Sequence, residues 1–98
     1  MDTLKKLQDW YLSQCNDDWE HSFGMKIDTL DNPGWSIKID LSETSLDKQT
    51  FTTVEVDYES DKNWIFCKVE NNQFIGACGP LKLEAMLNVF LDWAANGN

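Results

Sequence analysis

Residues 23–41 constrain the fold more than any other stretch, because apolar and polar side chains alternate along them in two runs. Alternation with a period of two predicts β-strands that each carry one apolar face. The first apolar row is Phe23, Met25, Ile27 and Thr29, and the second is Trp35, Ile37, Ile39 and Leu41. A short connection joins the two runs, so they are expected to form an antiparallel hairpin.

The register of this hairpin follows from its pattern, because a shift by one residue would turn one apolar row towards solvent. The expected pairs are Thr29–Trp35, Ile27–Ile37, Met25–Ile39 and Phe23–Leu41. The loop between the strands contains Pro33, whose φ is fixed, and Gly34, which can adopt the positive φ of a type II turn. We therefore expect a connection longer than a two-residue turn.

Helical patterns lie at both ends of the chain. Asp2 can cap a first helix that runs to about Cys15. Its apolar stripe is expected to be Leu4, Leu7, Tyr11 and Cys15, with Trp10 and Leu12 at the margins. Gly79 and Pro80 predict the start of a last helix over residues 81–95, which has one broad apolar face. Residues 19–21 either form a short connection or extend the first strand.

Three further strand regions follow residue 50. Residues 51–59 alternate between apolar and acidic side chains and predict a strand with an acidic face. Residues 64–70 and 73–78 flank Asn71 and Asn72, which tolerate the positive φ values of a type I′ turn. In that register Cys67 and Cys78 are diagonal neighbours, too far apart for easy bridging. We therefore expect free thiols.

These elements predict an α+β fold. The order is an N-terminal helix, an antiparallel meander sheet of four to five strands and a C-terminal helix, with both helices on one face of the sheet. The 98 residues suit one domain that spans the whole chain, and 42% hydrophobic residues suffice for a core.

The charge of the chain restricts its partners. Seventeen acidic residues against eight lysines, with no arginine, give a formal net charge of −9. This balance disfavours nucleic acid and anionic membranes and suits either solubility alone or a basic protein partner. With no apolar run near 18 residues and no pattern of a secretory signal, the expected location is the cytoplasm.

The residues of an enzyme or a metal site are not evident. Three cysteines without a CxxC motif and a single histidine, His21, do not make a zinc site. The sequence also lacks a glycine-rich phosphate loop. We expect no catalytic residues, no cofactor and no metal.

The acidic side chains from residue 55 onward are the best candidates for contact with a partner. Strand alternation would place Glu55, Asp57 and Glu59 on one face, and Asp61 continues the row. Trp64 could anchor its edge, because tryptophan often anchors protein interfaces. Asp40, Trp35 and Trp19 complete the candidate set. The alternative interpretation is a solvated strand face that opposes aggregation.

The order of several motifs resembles the immunity protein 53 family of bacterial polymorphic toxin systems. These motifs are YLSQC at 11–15, DWEH at 18–21, LDNPGW at 30–35, NWIFC at 63–67 and FLDW at 90–93. The resemblance covers nearly the whole chain. It implies a small cytoplasmic α+β protein that binds and neutralises a cognate toxin domain, and so protects the cell that produces the toxin.

Two other functions are alternatives to this one. An acidic adaptor domain that binds another protein would share the same surface properties. A cysteine-dependent sulfurtransferase would need a reactive thiolate in an anion-binding loop, and neither Cys67 nor Cys78 has basic neighbours that would lower its pKa. We therefore expect a binding protein and not an enzyme.

Overall fold

Five antiparallel strands form one sheet in the part of the chain that the structure describes. This structure, a computed structural model, describes residues 2–57 and 62–96. The elements in chain order are α1 (Thr3–Gln14), α2 (Trp19–Ser22), β1 (Met25–Leu30), β2 (Gly34–Asp40), β3 (Val54–Val56), β4 (Ile65–Glu70), β5 (Gln73–Cys78) and α3 (Leu83–Asn96). The α+β class is confirmed.

The first hairpin has the predicted register. Met25 pairs with Ile39, Ile27 with Ile37 and Thr29 with Trp35. Phe23 lies outside β1, because it ends the short helix α2, and its pairing with Leu41 does not form.

The turn of this hairpin differs from the prediction at one residue. No glycine among the described residues has a positive φ, so Gly34 does not adopt the conformation of a type II turn. Gly34 is buried instead, and a Cβ at this position would overlap the backbone carbonyl of Cys78. Close approach of two strands therefore requires the glycine.

The second hairpin also has the predicted geometry. Asn71 and Asn72 have φ values of 53° and 61°, as a type I′ turn requires. Cys67 pairs with Gly76 and Cys78 with Ile65, so the two cysteines are diagonal neighbours. Both thiols are free, as predicted.

The strand order corrects the expectation of a simple meander. The order across the sheet is β1-β2-β5-β4-β3, so β2 pairs with β5 and not with β3. After β2 a long connection carries the chain to the opposite edge of the sheet, where β3 lies. The next two strands, β4 and β5, then fill the positions between β3 and β2. Asn72 holds this connection, because its backbone carbonyl accepts from the Leu41 amide and its side chain accepts from the Lys48 amide at 3.0 Å.

β3 is much shorter than the predicted strand over residues 51–59. Phe51 lies before it and packs edge-on against Phe74 and Trp93, with ring centroids 5.3 and 5.1 Å away. After Val56, Asp57 has a φ of 49°, which ends the extended conformation. Residues 58–61 lie outside the described residues.

Helix α1 is rotated relative to the predicted stripe. Asp2 caps it as expected, and its carboxylate accepts from the Lys5 amide at 3.2 Å. The buried face, however, is centred on Leu7 and includes Thr3, while Leu4 is 60% exposed.

A polar contact with α3 accompanies this rotation. The Thr3 hydroxyl lies 3.0 Å from both a Glu84 carboxylate oxygen and the Asn88 side-chain oxygen. The exposed residues of α1 include Leu4, Tyr11 and Leu12, which the sequence placed on or beside the buried stripe.

Both long helices cover the same face of the sheet, as predicted. Leu7 of α1 and Leu87 of α3 belong to one core cluster with Ile37 and Phe74 of the strands. α3 begins at Leu83, three residues after Pro80. The face of the sheet that the helices cover is hereafter the inner face, and the opposite one is the outer face.

A row of aromatic rings runs through the core. Its successive members are Phe51, Phe74, Phe90, Trp10, Trp19 and Tyr11. Neighbouring centroids are 4.9–6.1 Å apart in edge-to-face geometry, which is the preferred arrangement of aromatic pairs. The row links the approach to β3 with the C-terminal half of α1.

Candidate partner-binding surface

The carboxylates that the sequence singled out lie at the far edge of the sheet. Glu55 is the middle residue of β3, which is the edge strand of the described sheet and pairs with β4. Glu55 and Asp57 are both exposed. Neither has an ion-pair partner among the described residues. Glu59 and Asp61 fall outside those residues, so the structure describes only the first half of the predicted acidic stripe.

Asp40 does not join these two residues. Strands β2 and β3 are three steps apart in the sheet, which corresponds to about 14 Å. The Asp40 carboxylate instead accepts from the Gly24 amide at 3.0 Å and from the Gln73 side chain at 2.6 Å. These bonds fix the start of β1 and brace β5, which gives Asp40 a structural role.

The three tryptophans of the candidate set have different environments. Trp19 is fully buried beside Trp10 and Tyr11, which removes it from the accessible surface. Trp35 is half-buried, and its indole nitrogen donates to the Pro80 carbonyl at 3.2 Å. Trp64 is half-buried just before β4. Trp64 is therefore the tryptophan that best fits an edge anchor for Glu55 and Asp57.

The outer face of the sheet carries charges of both signs. Lys26 and Lys38 are exposed and directly opposite each other on β1 and β2. Asp28 and Asp40 flank this pair, and Lys68 lies 3.1 Å from Glu70 on β4. The excess of negative charge is therefore not concentrated on the centre of this face, which leaves the β3 edge as the better candidate.

Burial disfavours the thiolate forms of Cys67 and Cys78. Burial raises the pKa of the Cys67 thiol to about 12, and the neighbouring Cys78 adds to the rise. Burial also raises the pKa of Cys78. A neutral thiol is a poor nucleophile, so this chemistry does not favour a sulfurtransferase.

The family model of immunity protein 53 matches residues 4–95. The chain belongs to the immunity protein 53 family. No curated protein and no solved structure matches it.

Membership of this family implies a cognate toxin as partner. The family match confirms the resemblance seen in the sequence. Immunity proteins are typically non-enzymatic binding proteins. Within residues 2–57 and 62–96 of this family member, no helix is long and apolar enough to cross a membrane. The same residues contain no group of three or more His, Cys, Asp or Glu side chains that could hold a metal ion.

The sequence did not single out the surface around β1. Ile27 is 41% exposed and Tyr11 is 39% exposed, although both belong to apolar patterns that predict burial. The pattern of β1 alone cannot show this, because the exposure arises from the position of β1 at the edge of the sheet and from the rotation of α1. The strand order was the missing information.

Proposed function

We propose that this protein is a cytoplasmic immunity protein whose single domain neutralises a cognate toxin by binding it directly through an acidic edge. The acidic edge is defined here as Glu55 and Asp57, with Glu59 and Asp61 as its continuation in sequence and Trp64 beside it. Family membership supports the toxin as partner. The exposed carboxylates at β3, which have no ion-pair partner among the described residues, support the edge as the contact.

The chemistry of such a contact favours a basic toxin. A toxin that cleaves nucleic acid carries a positive cleft, because its substrate is a polyanion. A protein with a net charge of −9 is attracted to that cleft over a long range, and exposed carboxylates can occupy phosphate positions. The proposed target is therefore a basic, nuclease-like toxin domain, with the carboxylates of the acidic edge in its cleft.

Binding kinetics test the acidic edge. The binding partner in this experiment is an inactive variant of the cognate toxin domain. The double variant Glu55→Gln/Asp57→Asn should associate more slowly than the wild type, and its association rate should depend less on salt. The melting temperature should be nearly unchanged, because both side chains are exposed.

A matched control separates local contact from net charge. The double variant Asp9→Asn/Asp92→Asn removes the same charge from exposed positions on α1 and α3. It should slow association less than the edge variant. Equal effects of the two double variants would mean that only total charge matters and that the interface lies elsewhere.

A further inference from the structure

The two edges of the sheet differ in what they offer to a partner. β3 has three residues and ends at the positive φ of Asp57. β1, at the other edge, has six residues in continuous pairing with β2. It contains no proline, and its inner row is apolar at Met25 and Ile27. Natural proteins usually shorten or interrupt an exposed edge of this kind to prevent further strand pairing.

The hydrogen bonds of the first hairpin show which backbone groups of β1 do not bond β2 within the described residues. The Asp40 amide donates to the Gly24 carbonyl at 2.9 Å, so Gly24 and Asp40 form a hydrogen-bonded pair. Such pairs alternate with unbonded ones along an antiparallel ladder. The residues of β1 that bond β2 are therefore the even-numbered ones. The amides and carbonyls of Met25, Ile27 and Thr29 point away from the sheet.

A groove lies beside these outward-pointing backbone groups. It has a volume of about 440 Å³ and runs between α1 and the start of β1. Its lining residues are Leu7, Gln8, Tyr11, Phe23, Gly24 and Met25. Ile27 continues the row of Met25 along the inner face and is 41% exposed. An added strand paired with β1 would carry alternate side chains towards this groove and Ile27.

We propose that β1 is a docking site for an extended segment of the cognate toxin domain, which would add a sixth strand to the sheet and place an apolar side chain against Tyr11 and Met25. This inference rests on the proposed function, because it takes the toxin as the partner. Amides and carbonyls that point away from the sheet along β1 are complementary to another extended backbone. An apolar groove beside it supplies side-chain specificity.

Charge favours the toxin over a second copy of this chain as the occupant. Two copies that each carry a net charge of −9 repel each other, whereas a basic toxin is attracted. Glu55 on β3 lies four strand spacings from β1, about 19 Å, which is within the width of a standard interface. One toxin surface can therefore reach both edges, with carboxylates governing association and the added strand governing dissociation.

Backbone amide exchange of the full chain tests this site. In the free protein the amides of Met25, Ile27 and Thr29 should exchange much faster than those of Lys26 and Asp28. With the inactive toxin domain bound, the three fast amides should become protected. This alternation is specific to strand addition, because contact through side chains alone would not select every second amide.

Proline at Thr29 provides the matching mutation. Thr29→Pro removes an amide that points away from β2, so it spares the existing ladder while blocking one bond to an added strand. The dissociation constant should rise about tenfold or more, through faster dissociation. Thr29→Val keeps the amide and serves as the control. Ile27→Lys is a second variant, which places a charge on the exposed inner row without removing any backbone donor.

The outcomes separate this proposal from the proposed function. If the wild type binds the toxin domain while exchange at Met25, Ile27 and Thr29 stays unchanged, the β1 site is wrong and toxin binding stands. Failure of the wild type to bind overturns the proposed function, and the toxin as occupant with it. Protection that grows with the concentration of this protein alone would identify a second copy as the occupant and would also overturn the proposal.

Discussion

The side-chain nitrogen of Asn72 lies 2.9 Å from a carboxylate oxygen of Asp47, a residue 25 positions earlier in the chain. The same nitrogen lies 3.1 Å from the Ser42 hydroxyl, while the Asn72 side-chain oxygen accepts from the Lys48 amide. The tight turn between β4 and β5 thereby holds the connection that carries the chain from β2 to β3. One asparagine serves both as a turn residue and as a tether.

A pair of glycine substitutions separates these two roles. Asn71 and Asn72 both have positive φ, so glycine suits the backbone at either position. Asn72→Gly should lower the free energy of unfolding by roughly 1–2 kcal/mol more than Asn71→Gly, because it alone removes the tethering hydrogen bonds. Denaturant unfolding of both variants measures the difference. Equal losses would show that the tether does not contribute to stability.

The Asp47 carboxylate should make stability depend on acid pH. The Glu43 amide and then the Asn72 side chain hold its pKa below the ordinary value of 3.8. A depressed pKa in the folded state contributes stability above pH 3.8 that is lost as pH falls through the folded-state pKa. The melting temperature of Asp47→Asn should therefore decline less on acidification than that of the wild type. Asp92→Asn, as control, should follow the wild type.

The rotation of α1 predicts which of its leucines supports the core. Leu7 is 6% exposed and Leu4 is 60% exposed. Leu7→Ala should lower the free energy of unfolding by about 2–5 kcal/mol, as expected for a core deletion. Leu4→Ala should change it by less than about 0.5 kcal/mol, as at other surface positions. Comparable losses at the two sites would instead support the apolar stripe expected from the sequence, which contains both leucines.

The buried Cys67 thiol should weaken the fold at alkaline pH. Its pKa in the folded protein is about 12, against an ordinary value of 9.0. Because the raised pKa favours the protonated folded state, this stability is complete below pH 9.0 and is lost as pH rises towards about 12. Cys67→Ala should therefore lose stability less steeply above pH 9.0 than the wild type. Parallel profiles would show that the Cys67 thiol does not contribute to the decline.

The sequence predicted the elements whose signals are local. The alternation along residues 23–41 has one register that puts both apolar rows on the same face, and the structure has that register. Asn71 and Asn72 determine the second hairpin because few residues tolerate two successive positive φ values. Asp2 marks the start of α1 through its side-chain bond to a free amide.

The features that the sequence did not predict depend on distant partners. Leu4 and Leu7 are the same residue type, so their identity alone does not show which of them is buried. The buried side of α1 is the one on which Thr3 contacts Glu84 and Asn88 of α3. Phe51 has strand chemistry, but its ring packs on Phe74 and Trp93, which no local pattern reveals. The pairing of β2 with β5 likewise joins segments that are far apart in sequence. Packing against distant residues, and not local propensity, therefore determines the buried side of α1, the position of Phe51 and the pairing of β2.

The aromatic row gives the chain an optical signal at each edge of its sheet. Rings held in fixed, asymmetric surroundings produce near-ultraviolet circular dichroism, which disappears when their packing loosens. One end of the row is Phe51, just before β3, and the other is Tyr11, in the groove beside β1. A partner that binds at either edge is therefore expected to change the near-ultraviolet circular dichroism of these rings. Binding can then be measured on the protein without an added label.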